Sequence, residues 1–458
     1  MKFMNQFYKI HKKEIFLFLL MLILELAMIF VLSQKNDLGI FSRNDANEFQ
    51  NIVKNLISRQ TFSLDSESPF YPTNFRTPIY PFWLAIIYLI FSSFKPAIFI
   101  GAAIFALSAP LVYLIAKEIF SEKIALASAV LFAIEPWALF QSGFLVAEQI
   151  FMPMFLLSAY LFCRYLKLNK HFYLYCASFL LGVTALIRPI ALFFISVFLF
   201  LIFLLELKTS TKSAFKYSAL SLLVFVLVLS PWLIRNKIVL NTWKISSISD
   251  VNLYIENYAM LEKYLGKMKQ NENINEMGRI LLGTKNYEEA KKTENAKILA
   301  DVALEEIKTN FSSYIVMHLS NLPSFLFKNS YGNIFFDLKI GDSGVQSKIS
   351  KYFFKKDFSD LSKLVENSAI STKILILFSF FWPAVMLFAI VGAVEGFKNY
   401  RLNLLFWFLI LWILYFLALA GNLRDISRYK LAINAPLFIF STIGLSKVYK
   451  YFLKAYNN

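Results

Sequence analysis

The chain has 458 residues, of which 58% are hydrophobic and 17% aromatic, with a mean hydropathy of +0.55. Soluble domains carry roughly 45–50% apolar residues, so the composition excludes an ordinary soluble domain and points to a polytopic, all-α membrane protein. The net charge of +17 would suggest nucleic acid in a soluble chain, but here Lys and Arg punctuate apolar runs and form no single basic face, so no nucleic-acid partner is expected.

The basic segment 1–13 precedes a long apolar run with no small-residue cleavage site, which predicts an uncleaved first span. Stretches long enough to cross a bilayer fall at 14–33, 97–116, 124–141, 147–165, 172–187, 190–206, 216–234, 373–396, 402–420 and 430–447, predicting about ten transmembrane helices. The short connections carrying Lys117 and Lys123, Arg164 and Lys167, Lys208 and Lys212, and Lys398 and Arg401 are basic. The positive-inside rule places them, with both termini, in the cytoplasm. That scheme predicts a multi-pass protein of the cell (inner) membrane, and it closes only if Ile79 to Phe94 lies in the outer interface without crossing.

Cys163 and Cys176 both fall near the predicted inner face, so no disulfide framework is expected. Two long segments remain outside, 34–96 and 235–372. The predicted organisation is therefore an N-terminal transmembrane module (1–234, including the outer loop 34–96), an extracytoplasmic domain (235–372) and C-terminal transmembrane helices (373–458). Within the outer domain, Tyr287 to Thr309 predicts a helix with Ile298, Leu299, Val302 and Ile307 toward one side, and Tyr314 to Phe336 a segment resting on the interface.

The chemistry-bearing residues cluster at the predicted outer boundary. Asp45 opens an amphipathic segment in which Phe49, Ile52, Val53, Leu56 and Ile57 recur at helical spacing. Asp45 followed by Glu48 also reads as a capping box, in which the aspartate only binds helix amides. Glu148 begins one span, Arg188-Pro189 forms a turn between two others, and Arg235 follows Pro231-Trp232 at the end of another. Glu135 reads as an interfacial residue, and Glu25, inside the first span, as a group paired with a neighbouring helix. Arg424, Asp425, Arg428, Tyr429 and Lys430 crowd the turn before the last span, against the positive-inside trend, which favours phosphate binding.

Carboxylates at Asp45 and Glu148 suit general-base or orienting roles, and guanidiniums at Arg76, Arg188, Arg235 and Arg428 suit bidentate phosphate binding. No zinc motif, Walker loop, nucleophile elbow or dinucleotide fingerprint occurs. Of His11, His171 and His318 only the last is predicted outside, so a histidine-based site is not expected. Neither a cofactor nor a metal-ligand set is predicted, and the sequence leaves divalent-metal dependence open.

The order of the motifs Asn44-Asp45-Ala46, Arg76-Thr77-Pro78-Ile79-Tyr80-Pro81, Ala147-Glu148, Ala185-Leu186-Ile187-Arg188-Pro189, Pro231-Trp232-Leu233-Ile234-Arg235-Asn236 and Ser427-Arg428-Tyr429 resembles the polytopic GT-C glycosyltransferases. It resembles in particular the branch containing the protein O-mannosyltransferases and the bacterial aminoarabinose transferase of lipid A. The resemblance implies juxtamembrane helices in the first outer loop, a polyprenyl-phosphate-linked sugar donor, and inversion at the anomeric carbon. It further implies Asp45 as base, Glu148 as a second acid that orients substrate, and Arg76, Arg188, Arg235, Arg428 and Tyr429 around the donor phosphate. Protein O-mannosyltransferases usually carry adjacent acids in that loop, whereas Asp45 is followed by Ala46, which leaves a lipid, glycan or protein acceptor open. A flippase or exporter of lipid-linked sugars, or a ligase or polymerase of lipid-linked glycans, would use related chemistry. Exporters commonly show internal pseudo-symmetry, and no repeat is evident here.

Overall fold

The computed structural model describes residues 2–35, 44–268, 272–284, 287–338, 370–420 and 426–456, and these are helices and connecting turns. Among the described residues, seven helices are long and apolar enough to cross a membrane: His11–Gln34, Lys95–Lys117, Glu148–Leu168, Pro189–Glu206, Thr211–Leu240, Leu377–Tyr400 and Ser427–Tyr456. His171–Ile187 and Leu404–Leu419 are apolar but shorter.

The predicted span 124–141 is instead two short helices, Glu122–Ala133 and Pro136–Gln141. The break has a local cause. Proline at 136 cannot donate within a continuous helix, so Glu135 takes an extended backbone and its carboxylate caps the new helix by accepting from the Ala138 amide at 2.7 Å. Its other oxygen accepts from the Tyr331 hydroxyl at 2.7 Å. Glu135 is thus a buried cap and brace. Glu25 is also buried, but it corrects the expectation of a paired group: neither oxygen has a hydrogen-bond partner among the described residues.

Charged groups at one end of the bundle are tied together. Glu118 pairs with Arg164 at 3.1 Å and Lys167 at 2.9 Å, Lys13 pairs with Glu122, and Lys447 pairs with Glu395 at 3.0 Å. Ile79–Phe91 has 13 residues, about 20 Å of helix, too short for the roughly 30 Å hydrocarbon layer. With Asn44–Arg59 it forms a helical pair between the first two long helices, fixed by the edge-on contact of Phe49 and Tyr80 at 4.6 Å.

The bundle interior is aromatic. Phe155, Phe194, Phe198, Phe408, Trp412 and Phe416 interlock, and Phe162 stacks on Phe198 at 3.7 Å. Two polar handles direct this core toward the turns above it. Trp412 donates to the Ala432 carbonyl at 2.8 Å, and Tyr415 to the Ile190 carbonyl at 2.6 Å.

Beyond the bundle, the described residues of 248–309 form a smaller helical unit around Tyr254, Ala259, Met268, Ile274, Leu299 and Ala303, whereas Phe325, Tyr331, Ile334 and Phe335 join the bundle core. The helix predicted over 287–309 begins at Thr293, after a short 3-10 turn, and buries Leu299, Ala303 and Ile307. Ile298, assigned to that face, is 47% exposed, because the buried stripe also takes in the small residues Ala296 and Ala300.

The closest helix crossing sets a stability test. A Cβ on Gly392 would sit 1.8 Å from the Phe440 carbonyl oxygen, whereas one on Gly396 would meet side-chain rings, Phe406 at 2.8 Å and Phe440 at 3.6 Å. Backbone cannot yield as a ring can, so Gly392→Ala should lower the thermal midpoint in detergent by the equivalent of about 1–3 kcal/mol, and Gly396→Ala by clearly less. Equal losses would contradict this packing.

Candidate functional site

Three chain breaks bring charged side chains to one place at the end of the bundle remote from the Glu118 cluster. The first is the non-helical segment 73–77, which ends at Pro78, the cap of the Ile79–Phe91 helix and a residue that disfavours helical backbone just before it. It is held on both sides: Thr77 donates to the Ile187 carbonyl at 2.7 Å, Ser246 donates to the Phe75 carbonyl at 2.6 Å, and the Ser247 amide donates to the Asn74 carbonyl at 3.2 Å. Arg76 projects from this braced run.

The second break is Ile187-Arg188-Pro189. Arg188 is extended because a residue before proline avoids helical backbone, and this turns its side chain toward the start of the Glu148–Leu168 helix. The third is the short helix Ile426–Lys430. It is pinned by the Ser330 amide donating to the Ser427 hydroxyl at 2.7 Å, and by the Lys430 ammonium, which donates to the carbonyls of Leu326 and Lys328 and lies 4.2 Å from the Trp382 ring.

These turns build a continuous chain of ion pairs. Arg188 donates to Glu148 at 2.5 Å, and Arg428 donates to both Glu148 oxygens, to Oε2 at 3.2 Å. Arg428 also pairs with Asp45 Oδ2 at 2.5 Å, while Arg76 bonds Asp45 Oδ1. The chain continues from Arg76 to Glu48 at 2.6 Å and from Glu48 to Lys291 at 2.8 Å. Glu148 is 1% exposed, so an unpaired carboxylate there would cost several kcal/mol, and the two guanidiniums offset that cost. Arg188 lies 5.6 Å from the centre of the Tyr429 ring.

Among the described residues, Asp45 accepts no hydrogen bond from the amides of its own helix. Its burial alone would raise its pKa, but the fields and hydrogen bonds of Arg428 and then Arg76 outweigh that and hold the carboxyl far below the usual carboxylate range. The aspartate is therefore an anion clamped between two cations, basic only when a guanidinium lets go.

A narrow cavity of about 10 Å³ opens beside the cluster. Glu148, Arg188, Arg428 and Tyr429 line its charged side, and Phe151, Met152 and Leu431 its apolar side. Charge and hydrocarbon thus meet where the bundle ends.

Of the residues singled out in the sequence, Asp45, Arg76, Glu148, Arg188, Arg428 and Tyr429 come together, and Arg235 does not. It donates to the Thr73 carbonyl at 2.8 Å and to Asn236 at 3.0 Å, and its guanidinium lies 4.8 Å from the Trp232 ring. Arg235 therefore braces the segment that carries Arg76. Arg424 and Asp425 lie outside the described residues. His318 makes no ion pair with the cluster among the described residues; its ring is bonded to the Leu417 carbonyl at 3.0 Å.

Three residues were not anticipated at the site. Glu48 was read as a capping partner, although its spacing from Asp45 puts both acids on one face. Lys291 and Glu256 come from the smaller helical unit, with Glu256 in a π-helical turn, Leu253–Tyr258, within electrostatic range of Tyr429. Among the described residues, no three or more His, Cys, Asp or Glu side chains are gathered as a metal-ligand set.

Residues 75–234 match the family described as dolichyl-phosphate-mannose-protein mannosyltransferase, which bears out over that stretch the resemblance read from the motifs. The matched stretch holds Arg76, Glu148 and Arg188. Among solved structures the chain is similar to the archaeal oligosaccharyltransferase AglB from Archaeoglobus fulgidus in complex with an inhibitory peptide and a dolichol-phosphate, with 15% identity and a TM-score of 0.48, covering 96% of this chain and 51% of that one. The apo form of the Archaeoglobus fulgidus enzyme gives the same identity and TM-score, with 96% and 52% covered. The chain thus spans about half the length of these solved proteins. No curated protein matches.

The clamped aspartate sets the sign of a pH effect. Because its folded pKa is depressed, the stability it contributes is complete above the unfolded value of about 3.9 and is lost as pH falls below it. Asp45→Asn should therefore lower stability by about 2 kcal/mol at neutral pH. In thermal melts its gap from wild type should hold constant from pH 8 to about pH 5 and close only in stronger acid. A gap closing between pH 7 and 6 would show that Asp45 is not held low.

Proposed function

We propose that this protein is a membrane glycosyltransferase that moves a sugar from a polyprenyl-phosphate-linked donor to an acceptor hydroxyl on the extracytoplasmic face, with inversion. The observation that carries this reading is the paired guanidiniums of Arg188 and Arg428 beside an apolar wall, where the bundle meets the smaller unit. An amphiphile with a phosphate between its lipid and its sugar matches that boundary, and the family match over 75–234 supports the same class.

The reaction asks little covalent chemistry of the protein. As the bond from the anomeric carbon to the phosphate oxygen lengthens, negative charge collects on the departing lipid phosphate, and Arg188 and Arg428 stabilise it. The acceptor oxygen attacks from the opposite side, which inverts the carbon, and its proton passes to Asp45. The resting cavity is too small for a phosphate, so donor binding must draw Arg428 away from the carboxylates. That same movement removes one of the two cations that depress Asp45, and the base becomes more basic when the donor is in place. Glu148, sharing Arg428 with Asp45, orients the guanidiniums. The smaller unit, braced against 73–77 and supplying Lys291 and Glu256, borders the side from which an acceptor enters.

Transfer should be measured from a panel of radiolabelled polyprenyl-phosphate sugars in membranes, with folded protein quantified. Asp45→Asn should lose about 10²–10⁴ in rate while still binding donor. Arg428→Gln should lose donor binding and rate together. Arg235→Lys, which keeps the brace, should stay within a few fold of wild type. Full transfer by Asp45→Asn at equal folded protein would eliminate Asp45 as the base, and movement of the lipid without transfer by wild type would replace the reading with a flippase.

A further inference from the structure

A larger cleft, of about 520 Å³, lies at the opposite end of the bundle. It sits where Glu148–Leu168 and Ile195–Glu206 finish and where Phe381–Tyr400 turns into Leu404–Ala420. Since the Glu148–Leu168 helix starts at the ion-pair cluster and has 21 residues, roughly 30 Å separates the two places.

The cleft is lined by Lys208, Lys398 and Arg401 and by the amides of Asn399 and Asn403, with no carboxylate in its wall. Among the described residues none of the three cations has an ion-pair partner. The nearest acid on the same helix, Glu395, lies within electrostatic range of Lys398, but its carboxylate is bonded by Lys447 at 3.0 Å and by the Asn399 amide at 3.2 Å. Topology accounts for cations at this end of a bundle, but not for their gathering around a concavity while the neighbouring basic loops close on Glu118. Like charges converging without a counter-ion repel, and an anion relieves them.

The rest of the wall says which anion. Leu166, Leu205 and Leu404 are apolar and Leu402 is 91% exposed on the turn; outside the wall, Trp407 donates to the Arg401 carbonyl at 2.8 Å, an indole placed as membrane-surface tryptophans are. We infer that this cleft is a binding site for the phosphate headgroup of an anionic glycerophospholipid of the adjacent leaflet, separate from the donor site and independent of the transferase reading. The phosphate and headgroup lie among Lys208, Lys398 and Arg401, and the acyl chains run along the leucine wall. Basic pockets between transmembrane helices bind anionic headgroups in this way.

The test uses the full-length protein in nanodiscs of phosphatidylcholine with and without phosphatidylglycerol, with retained lipid counted by native mass spectrometry. Wild type should keep one phosphatidylglycerol in preference to phosphatidylcholine. The preference should fall roughly fivefold for each cation removed, and disappear in Lys208→Gln/Lys398→Gln/Arg401→Gln. Lys450→Gln/Lys454→Gln, which removes charge outside the cleft, should leave it intact. If the triple variant melts early, Arg401→Gln alone carries the same comparison. Unchanged preference in a folded cleft variant would overturn the assignment. So would displacement of the lipid by inorganic phosphate alone, which would mark a site for a free anion.

Discussion

An ionised carboxylate cannot stay unpaired where a helix bundle gives out into apolar surroundings, and Glu148 imposes that constraint on the whole of one end of this molecule. It is buried at the first turn of its helix and shared by Arg188 and Arg428, which come from two other chain segments. Arg428 in turn reaches Asp45, and Asp45 reaches Arg76. Five distant parts of the chain are thereby fixed to one another through charge.

The remainder of the fold holds these segments still. The aromatic core ends in two hydrogen bonds, from Trp412 and Tyr415, that clamp the segments bearing Arg428 and Arg188. Arg235, Ser246 and Thr77 do the same for the run bearing Arg76. The preorganisation matters because a phosphate-departure reaction is accelerated chiefly by charges that need not reorganise as it proceeds. Arg428 is the exception, shared between two acids and able to exchange one for a phosphate.

Much of this was legible in the sequence, for physical reasons. Long apolar runs identify helices that cross a membrane, and scarce charges at their ends identify groups that must be paired, so Asp45, Arg76, Glu148, Arg188 and Arg428 stood out individually. The motif order gave the family resemblance. What remained illegible depends on three-dimensional closure. Arg235 has the same sequence signature as the clustered arginines, and only the fold of 62–75 over Trp232 makes it a brace. Lys291 and Glu256 lie in a polar unit without periodic signal at those positions. The single helix predicted over 124–141 is split in two because hydropathy registers apolar length and ignores the Glu135-Pro136 cap. Ile298 missed the buried face because alanines, weak in any hydrophobic pattern, complete that stripe.

The central claim is that Arg188 and Arg428 receive the donor phosphate and that Arg428 exchanges a carboxylate for it. A structure of the full chain in nanodiscs with a bound polyprenyl-phosphate sugar tests it most directly. The account predicts phosphate density between the two guanidiniums, the lipid along Phe151 and Met152, and Arg428 withdrawn from Asp45. Density elsewhere, with the Asp45–Arg428–Glu148 pairs unchanged, would contradict it.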